Sequence, residues 1–255
     1  MTTTAPTRVQ LPVVPALSLK RDTLAEARKL IDTRASSALL LATLVLTAGA
    51  AAATVVFRTA NQSVDRIVSV AAWPGSMLLM VMAMLLVISE FSTGTAAVTF
   101  ALEPRRTRVL VAKTVVVVGA SILLTVFACV MSVLAALVAP LVSGSPVPLA
   151  VDGVRLGATA GALLFSALAG LAWGLLTRSA PIPLVLLLAW PTAALLIGSL
   201  SDTAATALGY LDLQAPLAFV IDPAHATVRT LTSFAVWIGL PAAIGTWRLV
   251  RGDLH

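Results

Sequence analysis

Residues 114–151, TVVVVGASILLTVFACVMSVLAALVAPLVSGSPVPLAV, contain no charged side chain between Lys113 and Asp152. A helix needs about 20 mostly apolar residues to cross the hydrocarbon layer, and this stretch exceeds that without a single ionisable group except Cys129. The same character extends through the chain. Its 255 residues are 59% hydrophobic and 11% charged, whereas a soluble domain carries roughly a quarter charged residues. The apolar residues fall in long runs, not at amphipathic spacing, so lipid is the solvent that suits them.

Six runs are long enough, or nearly so: about Ser36–Phe57, Ile67–Ile88, Val109–Ala139, Val154–Thr177, Ile182–Leu200 and Leu231–Val250. The fifth is short and holds Pro183 and Pro191. The expected fold is therefore an all-α integral membrane protein, one transmembrane domain over 1–255 with a six-span bundle across 36–250. Placing the N-terminus inside puts thirteen of the seventeen Lys and Arg residues in cytoplasmic segments. Only Arg58, Arg66, Arg155 and Arg229 are then external. The positive-inside rule thus predicts both termini in the cytoplasm. Arginine outnumbers lysine and alanine abounds, a composition that points to a bacterial plasma membrane.

Residues 1–16 lack an apolar core, so they read as a flexible N-terminus and not as a signal peptide. Over 17–33, Leu17, Leu24, Ala27, Leu30 and Ile31 recur at helical spacing among Lys20, Arg21, Arg28 and Lys29. That pattern predicts an amphipathic helix at the membrane interface, with docking on protein as the alternative. The loop 201–230 is half apolar and external. Its segments Ala204–Leu213 and Pro216–Ile221 are too short to span, so they are expected to enter partway as re-entrant helices. Gly157, Gly161, Gly170 and Gly174 give the fourth span small residues four apart, a helix-packing pattern in lipid.

The sequence holds no phosphate-binding loop, no HExxH, no GxSxG and no metal-ligand spacing around its two histidines. No catalytic residue, metal or cofactor is expected in this chain. No nucleic-acid partner is expected, because the basic residues flank apolar runs and have no interleaved aromatics. The spans are nearly free of charge, with Glu90 the nearest candidate for ion coupling. Energy for transport would then enter through another protein.

The segment 89–108 presents Phe91, Val98 and Leu102 and ends in a basic cluster, a pattern that suits docking. It carries Glu90, Gly94-Thr95, Pro104-Arg105-Arg106 and then Lys113. In order and spacing it resembles the coupling loop of type-2 ABC exporter permeases. The resemblance implies a permease subunit that pairs with a second permease, identical or homologous. Each would dock on a soluble ATPase, present in two copies and holding the ATP and magnesium. A hydrophobic or amphipathic compound would be moved outward, and Trp73, Phe127, Trp190 and Trp237 are candidates to line its path, though lone aromatics in apolar helices also serve as packing. A secondary transporter or channel, or a membrane sensor or immunity protein, are the alternatives.

The topology is testable by labelling. In a Cys129→Ala background, Ala5→Cys and Asp253→Cys should react with an impermeant maleimide only after permeabilisation, and Ser145→Cys in intact cells. The reverse pattern would invert the assignment.

Overall fold

The computed structural model describes residues 19–57, 62–92 and 106–251. They form α1 (Leu19–Asp32), α2 (Arg34–Val56), α3 (Val64–Ser92), α4 (Arg106–Ser143), α5 (Gly153–Thr177) and α6 (Pro181–Gly198). Then come α7 (Asp202–Leu208), two short 3₁₀ turns, α8 (Ala218–Ile221), α9 (Ala226–Phe234), a π-helical turn (Ala235–Gly239) and α10 (Leu240–Arg251). There is no strand among the described residues. Six helical segments are long and apolar enough to cross a membrane: α2, α3, α4, α5, α6 and the continuous α9–α10.

Several boundaries move from those expected. α3 runs past Ile88 to Ser92, since residues 76–92 contain neither Gly nor Pro to stop it. α4 starts at Arg106, soon after Pro104, so only 93–105 separates the two helices. With 38 residues, α4 is about 57 Å long at 1.5 Å per residue and outreaches the hydrocarbon layer. Gly144, with φ of 70°, closes it, its N–H bonding to the Pro140 carbonyl at 3.0 Å. This left-handed step is one that glycine takes without steric penalty.

α3 and α5 form the centre. Both are 67% buried over their most apolar window, against 11% for α6. They run parallel with a constant offset of ninety residues. Asp65 pairs with Arg155 at 2.8 Å, and the Ser69 and Thr159 hydroxyls meet at 2.9 Å. Further along, a Cβ on Gly170 would lie 2.0 Å from the Met80 carbonyl oxygen and one on Gly174 2.9 Å from that of Met84. The glycine pair read from the sequence as packing is therefore the seat for the α3 backbone. Gly157 has open space around it, and Gly161 faces Pro216. Gly75 gives α2 similar access, its missing Cβ leaving room for the buried Thr47 hydroxyl at 2.8 Å.

The bundle has two dissimilar ends. The end carrying α1 holds Lys20, Arg21, Arg28, Lys29, Arg34, Arg106, Arg108, Lys113, Arg178, Arg248 and Arg251, whereas the opposite end holds Arg66, Arg155 and Arg229 among the described residues.

Gly170→Ala should lower the thermal midpoint in detergent, because the added methyl collides with backbone that cannot rotate away. Gly157→Ala, made as its control, should leave the midpoint unchanged or raise it by the equivalent of about 0.5–1 kcal/mol.

Candidate functional site

The segment singled out by sequence is bracketed by described structure at both ends. Glu90 and Phe91 lie in the last turn of α3, and Arg106 opens α4. Gly94, Thr95, Val98, Leu102, Pro104 and Arg105 lie outside the described residues, as do 1–16. Lys113 lies two turns inside α4, and its partner comes from a part of the chain that the sequence pattern did not connect to it.

That partner is Glu26, the one buried residue of α1. The Lys113 ammonium donates to Glu26 Oε2 at 2.6 Å and to the Leu86 carbonyl at 2.9 Å. The other carboxylate oxygen, Oε1, accepts from Lys29 at 2.6 Å. One turn earlier on α1, Asp22 pairs with Arg108 at 2.9 Å. Asp22, Glu26 and Lys29 recur at spacings of four and three, so they share one helix face. Ala27 and Leu30 flank that face and pack on the main apolar core. Leu24 and Ile31 remain exposed. α1 is thus fixed to α3 and α4 by one buried charge cluster and one largely buried ion pair. Thr33 forms the elbow into α2, its hydroxyl accepting from the Ser36 N–H at 3.1 Å.

A second centre lies within the bundle. α7 with its following turn and the segment Ala215–Ile221 form a hairpin bent by 117°. It enters from the end opposite α1, and the Gln214 amide at its tip donates to Ser76 and Ser166, each at 3.2 Å. Ser166 is thirteen residues into α5, which places the tip roughly 20 Å from the start of that helix. The bend's carbonyls accept from side chains. Leu211 takes the indole N–H of Trp190 at 2.7 Å and of Trp237 at 2.9 Å. Tyr210 takes Ser233 at 2.9 Å, Ala215 takes Thr230 at 3.2 Å, and Leu213 lies 3.5 Å from Ser166 Oγ. Trp237 stands between Trp190 and Trp173, with ring centres 5.4 and 6.0 Å away.

Of the four candidate path aromatics, the fold brings Trp190 and Trp237 together. Trp73 is exposed on α3, and Phe127 packs beside the main core. Asp212 is the residue that sequence reasoning missed. It is exposed at the hairpin tip, level with the middle of α3 and α5, its Oδ1 accepting the Gln214 N–H at 2.8 Å. The loop's predicted re-entry was the signal that could have found it. At the hairpin's outer end, the side-chain bond from His225 and the Arg229 guanidinium hold the Asp222 carboxyl below its usual range. Among the described residues no three His, Cys, Asp or Glu side chains meet as metal ligands would.

Comparison with protein-family profiles, curated proteins and solved structures finds no match.

The buried cluster predicts a non-additive pair. Lys113→Met should destabilise the fold in detergent by about 1–3 kcal/mol, because Glu26 loses its buried partner and keeps only the more exposed Lys29. Glu26→Met combined with Lys113→Met should recover most of that loss, a coupling read by double-mutant cycle.

Proposed function

We propose that this chain is the membrane-spanning subunit of a type-2 ABC exporter, working in a bacterial plasma membrane with α1 and both termini on the cytoplasmic side. The order Glu90, Gly94-Thr95, Pro104-Arg105, Lys113 carries the reading. The attachment of α1 to the start of α4 through Glu26 and Lys113 supports it. A push delivered to segment 93–105 by an ATPase would reach α3, α4 and α1 together. The charge cluster would let these elements move as one body, as a rigid-body switch requires. The Leu24 and Ile31 side chains then face the headgroup boundary beside the basic residues of α1.

In this scheme two permease subunits join two soluble ATPases that hold ATP and magnesium. Phe91, Val98 and Leu102 form the contact, and Gly94 allows close backbone approach. The cargo is hydrophobic or amphipathic, in keeping with spans so poor in charge.

One observation favours a second reading. Asp212 at mid-helix level is the kind of ionisable group that ion-coupled transporters use, and it would then serve where no ATPase is engaged.

Purification of the protein from its own cells separates the two. A co-purifying ATPase, lost in Gly94→Trp while the thermal midpoint holds, is the outcome expected of the exporter. A protein that purifies alone under conditions that preserve such complexes, with transport abolished by Asp212→Asn, would replace that reading by ion coupling.

A further inference from the structure

The fold makes no structural use of the charge on Asp212. The residue is exposed at the hairpin tip, two positions before the Gln214 amide that bonds Ser76 and Ser166. Those serines lie midway along α3 and α5, so the carboxylate stands near the centre of the hydrocarbon layer. The other described acids lie on α1, at helix ends or in the outer turns.

The turn needs an oxygen at this position and not a charge. Asp212 Oδ1 accepts the Gln214 N–H at 2.8 Å, a turn that asparagine closes equally well. Among the described residues no donor reaches Oδ2, and no Lys, Arg or His forms an ion pair with the carboxylate. Arg229 acts on it through space. Its guanidinium, however, is held by Asp222 at 3.1 Å and covers the Tyr210 ring at 5.7 Å, so Asp222 already offsets it. Asp212 also follows directly on the helical run 202–211, whose carbonyl end is the negative pole of its dipole. A carboxylate left in this way inside a membrane is costly, and such groups mark ion or ligand sites.

The surroundings select the kind of cation. An inorganic ion gives up its water only where several oxygens replace it. Here the tip carbonyls at 210, 211 and 215 already accept from side chains, and among the described residues no three metal-ligating side chains gather. A large cation with its charge wrapped in apolar groups loses little hydration on entering the bilayer. It needs one counter-charge and an apolar or aromatic wall. Trp190 supplies that wall: its indole N–H bonds the Leu211 carbonyl at 2.7 Å, one residue from the carboxylate, and its ring is partly exposed. α6, which carries it, is the least buried of the six spans, leaving this side open to lipid.

We propose that Asp212 is the counter-ion for a lipophilic monocation, an organic cation of shielded or delocalised charge, taken from the bilayer and held against Trp190. As a cargo class this narrows the exporter reading and rests on it. Binding to the chain itself requires no ATPase.

Equilibrium dialysis of radiolabelled tetraphenylphosphonium against the full chain, purified in detergent, tests it. One saturable site per chain is expected, unaffected by excess sodium, and tetraphenylborate, the same shape with opposite charge, should show none. Asp212→Asn keeps the turn and should raise the phosphonium Kd at least about tenfold, about 1.4 kcal/mol, at an unchanged thermal midpoint. Asp202→Asn, at the outer start of the same hairpin, should leave the Kd as it is. In the unaltered protein, dicyclohexylcarbodiimide, which reaches carboxyl groups from lipid, should label Asp212 more slowly once the phosphonium is bound, as read by peptide mass spectrometry. The proposal is overturned by the lack of a saturable site, by an undiminished site in Asp212→Asn, or by displacement with sodium. Asp212 left unlabelled, or labelled equally fast with the phosphonium present, would also overturn it. A saturable site on a chain that brings down no ATPase would uphold the site and remove the exporter reading alone.

Discussion

A peptide N–H or C=O without a partner inside hydrocarbon costs several kcal/mol, and most of this structure follows from avoiding that cost. Continuous helices satisfy the backbone automatically. The hairpin at 202–221 cannot, because its turns leave carbonyls outside any helical ladder. Its solution is to recruit side chains from four other elements: Ser166 from α5, Trp190 from α6, Ser233 and Thr230 from α9, and Trp237 from the π-helical turn. The π turn itself has a local cause. Pro241 has no N–H for the Trp237 carbonyl, and its ring crowds that carbonyl. The widened turn relieves the crowding, with the Leu240 N–H bonding five residues back to Ala235.

The α3–α5 pair supplies the frame on which this depends. A parallel pair held at one offset for five successive contacts presents Ser76 and Ser166 side by side, so one amide can bond both. Two small-residue seats, Gly170 and Gly174, set the separation of the rails. At the other end of the same pair, Leu86 gives a carbonyl to Lys113. The hairpin and the α1 attachment therefore hang on one rigid element, some ten residues apart along α3.

The spans were legible because apolar length is a local property of sequence. Their ends were less so: nothing in the composition of residues 89–92 or 106–108 distinguishes helix from loop. The glycine pair was readable as packing, but which helix it would meet was not. Lys113 was grouped with the preceding loop because the motif ends there. Its bond to Glu26 spans 87 positions, and no periodicity links residues so far apart. In α1 the apolar and basic residues carry the periodic pattern, but the two acids outside that pattern, Asp22 and Glu26, are what fix the helix. In sequence, Trp190 and Trp237 are candidates to line a path or to pack as lone aromatics, whereas in the fold their N–H groups matter equally. Asp212 went unremarked because a loop residue is read as solvated until the loop is seen to fold inward.

The hairpin also constrains the order in which the protein can be made. Its carbonyls at 210, 211 and 215 find partners on residues 230, 233 and 237, which the ribosome reaches only afterwards. Segment 202–221 must therefore wait at the membrane surface, or in the shelter of the insertion machinery, until the final span exists. A chain truncated before Ser233 could carry five correctly inserted helices and still lack the Ser233 and Trp237 side chains that serve the Tyr210 and Leu211 carbonyls of the segment that follows them.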